Sequence, residues 1–465
     1  LGPVFFIHEE DRRDDASAYG GEGSRDARAE PALSRSSKKK RKEGINMKTI
    51  QSAYEYAVSP AETTIGSALA GWQESLAKRG ESLGKTLDER YLRKWQDPQL
   101  ADVLAVRTMF VLGMQEFLTG EGLMNIDRVS LSPITDPLCH DVEHVPVIRY
   151  QGVPYRTTHS MIYSKFLACI NPAVKGIFID SPNIRLELPH VEEARKRKYL
   201  IDFSQMDIEA KRSERISDDD YFDMPGKVSS LLERQRDEAL DFFEDLIIHT
   251  VRKVKAMCPE CLASLGVTLE VPVKPFPRFY KDESGDDEGL EARLGTKAGT
   301  QFFWVLGLLR ENYDLVYPFL KRNGKVSAPS SICSRQVFNY DLCAAAKYLD
   351  GSYGEAFEVL SGGLREWFYP AIIARLMQNG ILSQAPQFDG QGNIGNIEAL
   401  EGYGPFLSAV AARTAEGESV FPQTFGGGIG IERALFALLQ GPKIRRIDET
   451  TCFGKNPDVP GPFLF

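Results

Sequence analysis

Two stretches of the chain place side chains that could hold a nucleotide. In "SPNIRLE" (181–187), Arg185 and Glu187 stand two apart, and residues i and i+2 of a strand share a face. In "DFSQMDIE" (202–209) the same rule gathers Phe203, Gln205, Asp207 and Glu209. Arginine binds phosphate oxygens through charge-assisted hydrogen bonds, and phenylalanine offers a ring to a base. The same pattern also describes an exposed sheet with paired charges, an ordinary stabilising feature. The second stretch is "FGGGIGIERALFALL" (425–439). Its glycines let a strand bend and a backbone approach a ligand closely. Arg433 falls in the first helical turn, against the helix dipole, which asks for an anion or a ring beside it. No GxxxxGK[ST] loop and no GxGxxG between strand and helix occurs, so a nucleotide would lie on a sheet and not at a strand-to-helix turn.

The elements that must position these groups follow from periodicity. Apolar spacing predicts helices over 102–122 and 160–170 and a long amphipathic helix over 226–256. Alternation predicts a strand over 124–135, stopped by Pro133, a hairpin over 145–158, and strands over 176–188 and 199–210. Residues 189–198 read as a charged loop and 283–300 as an acidic, glycine-rich surface loop. Strands over 302–309, 335–343 and 356–361 form a second β region, and the final glycine-rich strand feeds a helix over 431–440. Hairpins and long non-crossover connections point to an α+β fold with a mostly antiparallel sheet flanked by helices.

Composition sets broad limits. The chain has 465 residues, 42% hydrophobic and 26% charged, as ordinary globular proteins do. A net charge of −9 argues against a broad nucleic-acid footprint. No apolar run reaches the roughly 20 residues of a membrane span. Seven scattered cysteines, an odd number, suit a reducing, cytoplasmic setting. Cys258 and Cys261 form one CPEC without a second pair at zinc spacing, and read as two thiols near a helix end.

Residues 1–46 are polar and charge-mixed, a composition of disorder, with a "KKKRK" patch. Lys42-Glu43-Gly44 can be encoded as a bacterial ribosome-binding site just before Met47, so Met47 is the expected start; native protein beginning earlier, seen by mass spectrometry, would refute this. Residues 47–100 read as a short helical segment and 101–465 as one larger domain.

"LSPITDPL", "YRTTHSMIYSK", "SPNIRLE", "FNYDL", "EVLSGGLREW" and "GGGIGIERA", in this order, resemble the class II aminoacyl-tRNA synthetase core. The resemblance is to its aspartyl/asparaginyl branch, and most of all to the freestanding archaeal asparagine synthetase-related enzyme. It covers about 130 to the C-terminus, with gaps, and implies that the larger domain, 101–465, is catalytic, with inserts near 283–300 and 315–335.

The resemblance implies an AMP-forming ligase that uses ATP and Mg²⁺. Arg185 would hold the α-phosphate and stabilise the transition state. Arg433, also catalytic, and Phe203 would enclose adenine, with Glu187 at its edge and Gln205 in the ATP site. Asp341 and Glu358 would bind Mg²⁺, with Glu355 a competing ligand because the intervening segment is longer than the family pattern. Lys165 and Arg365, with Ser160, would grip an acidic amino acid, L-aspartate first, since a neutral amide would leave a cation uncompensated. Lys198 and Tyr199 stand where the family has Arg-His, so Lys198, with Lys196 and Arg197, would serve the γ-phosphate. The arginine expected in the tail "FGKNPDVPGP" is missing.

The expected activity is aspartate adenylation and transfer to ammonia, giving asparagine. Residues 47–100 are too few for the anticodon-binding barrel of the tRNA-charging relatives, so tRNA is not the expected acceptor. No cysteine follows Met47 as a glutaminase nucleophile, so ammonia would be free or partner-supplied. Alternatives are a paralogous amide or ester ligase, or a tRNA-synthetase-like enzyme, on a related acid, and an inactive amino-acid- or nucleotide-binding regulator. A homodimer is implied by the first family signature.

Overall fold

Asp97 begins the first long helix: its Oδ1 accepts the Gln99 N–H at 2.9 Å, and Pro98 occupies the first turn, where its missing N–H costs nothing. This helix, α1 (Pro98–Gly120), buries Val103, Val106, Phe110, Met114 and Leu118 along one stripe. It crosses the longest helix closely, because Gly113 lacks a side chain; a Cβ there would lie 3.1 Å from the Thr250 Cα. The short α2 (Ile162–Ala168) follows a hairpin, α3 (Pro225–Met257) runs under the sheet, and α4 (Ile431–Leu439) leaves the glycine-rich strand. The structure, a computed structural model, describes residues 93–132, 147–158, 160–185, 199–281, 289–308, 314–322, 325–327, 332–389, 394–400 and 403–452. The expectations for residues 1–92, Pro133, Glu187, Lys196, Arg197, Lys198 and the tail after 452 lie outside the described residues.

The central sheet has eight strands, numbered in chain order: β1 (Met124–Asn125), β2 (Gly176–Ile184), β3 (Asp202–Lys211), β4 (Arg278–Tyr280), β5 (Phe302–Leu306), β6 (Asn339–Ala344), β7 (Phe357–Leu364) and β8 (Thr424–Gly430). In space they run β1-β2-β3-β8-β7-β6-β5-β4. The outer pairs, β1 with β2 and β4 with β5, are parallel, and the five inner pairings are antiparallel. The fold is thus α+β, a mostly antiparallel sheet flanked by helices.

Register sorts the faces. Asp207, Gly428, Ser361 and Asp341 stand opposite one another across four strands, as do Glu209, Gly426, Gly363 and Asn339. Directly opposed residues share a face, so this face is polar. The other carries Met206, Ile208, Ile429, Leu360, Tyr340 and Leu342, all buried. There Phe243 of α3 packs 5.7 Å from the Tyr340 ring.

Several expectations shift. The predicted strand over 124–135 is two separate pairs of residues, Met124–Asn125 in the main sheet and Leu131–Ser132 against the hairpin Val147–Tyr150/Val153–Thr157. Residues 283–300 are not all surface loop: Leu290–Ala298 is a helix whose Leu290 and Leu294 bury against Phe303 and Val305. Its glycines and acids hid an apolar pair at i, i+4 spacing. Pro182 lies inside β2, where a proline is tolerated because β1 pairs only with Ile177 and Phe178, leaving that edge open.

Candidate active site

The floor of the site is glycine. A Cβ on Gly428 would come within 1.8 Å of the Gln205 Nε2, and one on Gly426 within 2.1 Å of the Glu209 Oε2. The bare backbone of β8 thus receives side chains from β3. The sequence reading gave these glycines to a ligand; the structure gives the space first to Gln205 and Glu209.

Lys165 and Arg365 both reach this face and both are buried. The Lys165 Nζ donates to the Asp207 Oδ1 at 2.7 Å, and the Asp207 Oδ2 accepts the Ser181 hydroxyl. The Arg365 Nε lies 3.4 Å from each Glu209 carboxylate oxygen, and its terminal nitrogen 3.4 Å from the Asp314 Oδ1. Asn339 holds the other Asp314 oxygen at 2.7 Å. Neither cation therefore waits uncompensated for a substrate carboxylate. The preference for aspartate over a neutral amide does not follow from counting two cations, because Asp207, Glu209 and Asp314 already match them. Ser160 is half-buried, and its hydroxyl accepts the Ile162 N–H at 3.3 Å, which shapes the entry to α2.

Arg185 and Arg433 each stack on an aromatic ring. The Arg185 guanidinium lies 5.3 Å from the Phe203 centroid, and that of Arg433 lies 4.8 Å from Tyr199. In this structure Arg433 has Tyr199 for its ring and Phe203 has Arg185. Arg433 also donates to the Glu358 Oε2 at 3.3 Å. Burial works to lower its pKa, but Glu358, Tyr199, Glu291 and Asp341 outweigh burial and hold the guanidinium above its ordinary value. Glu432 points away: its Oε2 accepts the Ser204 N–H at 2.9 Å and its Oε1 faces Arg107 of α1 at 3.4 Å. Burial raises the Glu432 pKa. It is a brace from α4 to β3 and α1, not a ligand group.

Asp341 and Glu358 share the polar face because of a bulge. The register shifts between Leu342 and Cys343, leaving Val359 extra on β7, so Glu358 returns to the face that carries Ser361. Two carboxylates on one face fit the chemistry of Mg²⁺, which takes few protein ligands and completes its shell with phosphate oxygens and water. Among the described residues, no group of three or more His, Cys, Asp or Glu could cage a metal alone. Glu355 lies before β7 and is exposed, and its carbonyl accepts from Gln440 at 2.6 Å; Glu358 has the better position of the two.

Sequence reading placed Asp207 and Glu209 on the correct face without assigning them to Lys165 and Arg365. It missed Asp314 and Asn183, and named Tyr199 only as a departure from the family pattern. Asp314 lies just before the segment read as an insert and in no motif, and Asn183 follows a proline that looks like a turn signal. Cys258 and Cys261 are free thiols where two helices meet, and burial raises both pKa values.

No protein-family model matches the chain. The aspartate–tRNA(Asp) ligase of Pyrococcus abyssi is 21% identical over 369 residues, which span 78% of this chain and 71% of the relative. The aspartate–tRNA(Asp/Asn) ligase of Methanothermobacter thermautotrophicus is 20% identical over 374 residues, 80% of this chain and 70% of the relative. Among solved structures, the asparaginyl-tRNA synthetase of Pyrococcus horikoshii bound to asparaginyl-adenylate superposes with a TM-score of 0.55 at 17% identity, covering 82% of this chain and 74% of that one. The asparaginyl-tRNA synthetase of Entamoeba histolytica with asparaginyl-adenylate gives 0.54 at 14% identity, covering 81% and 71%. Sequence motifs, sheet order and relatives agree: the chain carries the class II aminoacyl-tRNA synthetase core, that of AMP-forming ligases, in the aspartyl/asparaginyl branch.

Proposed function

We propose that the chain adenylates L-aspartate with ATP and transfers the aspartyl group to ammonia, forming asparagine. The observation that supports it most is a single polar sheet face holding Arg185, Lys165, Arg365, Asp341 and Glu358. The adenylate named with the solved relatives is consistent with a nucleotide on this face.

Arg185 neutralises the α-phosphate as the substrate carboxylate attacks, and its seat on Phe203 keeps it oriented. Lys165 and Arg365 hold the other carboxylate while Asp207, Glu209 and Asp314 fix their positions. Asp341 and Glu358 would hold Mg²⁺, which supplies charge neutralisation at the phosphates. Arg433 covers the nucleotide from the first turn of α4.

A second acceptor, the 3′ end of a tRNA, is favoured by the relatives themselves, which are tRNA ligases. ATP–pyrophosphate exchange across the amino acids tests the first half-reaction; absence of exchange with every acid would favour the regulator alternative. Product mass with ammonia, compared with acylation of total tRNA, separates the two acceptors. The exposed apolar residues Val147, Ile148, Tyr150 and Val153 of the hairpin support the homodimer expectation, which sedimentation tests.

A further inference from the structure

Asn183 lies fully buried in β2, two residues before Arg185 and paired with Phe203 of β3. Its amide nitrogen donates to the Ser181 carbonyl at 3.4 Å and to the Ser181 hydroxyl at 3.2 Å. A backbone carbonyl only accepts, so the amide can take one orientation, nitrogen toward Ser181 and oxygen away. That oxygen, Oδ1, is buried and has no donor among the described residues. Native proteins rarely leave a buried acceptor unmet, because its lost hydration is not returned.

The position of this oxygen narrows what would meet it. Lys165 donates to Asp207, Asp207 accepts from Ser181, and Ser181 accepts from Asn183. This polar chain crosses from α2 over β3 to β2 and ends at the unmet Oδ1. It therefore lies between Lys165, which would hold one carboxylate, and Arg185, which would meet the phosphate. The nearest ion pair, Lys165 with Asp207, is already balanced, so what Asn183 lacks is an N–H donor, and a substrate lying between a carboxylate clamp and a phosphate arginine brings one in its α-ammonium group.

We propose that the Asn183 Oδ1 accepts an N–H of the substrate's α-ammonium group, so that Asn183 selects α-amino acids over their des-amino counterparts. This rests on the adenylation reading above. Nothing in the family pattern of motifs assigned this residue.

The test compares wild type with Asn183→Val in L-aspartate-driven ATP–pyrophosphate exchange, with succinate as competing des-amino analogue. Asn183→Val should raise the KM for L-aspartate at least about tenfold, the worth of one hydrogen bond to a charged group. It should leave the KM for ATP and the inhibition constant of succinate unchanged. The melting temperature without substrate should hold or rise, since an unmet acceptor is removed. An unchanged KM, or equal weakening of L-aspartate and succinate, would overturn the assignment. Should the valine variant not fold, Asn183→Ser is read by the same criteria. A wild-type protein that exchanges with no amino acid overturns the adenylation reading itself, whereas exchange with the same KM in both proteins overturns only the assignment of Asn183.

Discussion

The Arg365 Nε is shared between the two carboxylate oxygens of Glu209, 3.4 Å from each, across 156 positions of chain. Both side chains are buried. Breaking a buried ion pair from one side typically costs roughly 3–5 kcal/mol, because a charge is left without its partner. Arg365→Leu should destabilise by about that amount and abolish aspartate-driven exchange while ATP still binds. Adding Glu209→Gln to it should restore much of the stability without restoring exchange. Urea unfolding of the single and double variants, beside exchange kinetics, reads both effects; aspartate kinetics unchanged in Arg365→Leu would sink the clamp.

The two glycines of β8 should differ in tolerance. On Gly426 an added Cβ meets the Ile208 backbone oxygen at 2.4 Å as well as Glu209. Backbone cannot swing aside, so Gly426→Ala should cost about 1–3 kcal/mol or more. On Gly428 the nearest atoms belong to the Gln205 side chain. Gly428→Ala should displace Gln205, costing less stability but raising the KM for ATP. Thermal unfolding and exchange kinetics on the pair check the order, and equal losses would contradict it.

Glu366, next to Arg365, gives a pH signature. Its Oε1 accepts the Trp367 and Phe368 N–H groups at 3.1 Å each, and its Oε2 is buried. Burial pushes its pKa up to about 7, against the pull of those N–H groups, Arg375 and Arg212. A carboxyl with a raised folded-state pKa binds its proton more tightly folded than unfolded. Its contribution is therefore full below the ordinary glutamate value and fades as pH climbs to about 7. The loss is on the order of 3 kcal/mol. Denaturant midpoints measured from pH 4.5 to 8 should fall less steeply in Glu366→Gln than in wild type; parallel curves would refute it.

Metal dependence should follow Glu358. Its carboxylate is 3.3 Å from Arg433 and faces the same side as Asp341. Chelator should stop exchange. Glu358→Gln should raise the Mg²⁺ concentration for half-maximal exchange by about tenfold or more, as loss of a charged ligand does, whereas Glu355→Gln should change little. The reverse ranking would move the metal to Glu355.

Elements with strong periodicity were legible. The helix over 226–256 is Pro225–Met257, and the paired strands and the glycine-fed helix stand where alternation placed them. That Arg185 and Phe203 lie on strands whose alternate residues share a face was readable; that the guanidinium lies over the Phe203 ring was not. What pairs with Lys165 and Arg365 was not, since Asp207 and Glu209 meet them through sheet order, 42 and 156 positions away. The bulge at Val359 was equally silent: no local sequence rule moves Glu358 to the other face of its strand. The helix Leu290–Ala298 was lost to composition, because two leucines among glycines and acids carry too little signal.

The glycine floor also constrains how this site could change. A strand whose polar-face positions must stay bare cannot contribute new chemistry, whatever the substrate. Innovation is confined to its neighbours: Ser181 and Asn183 on β2, Gln205 on β3, and Asp314 on the segment bridging to Arg365. A library aimed at new acids would spend its diversity on those four positions and leave β8 fixed.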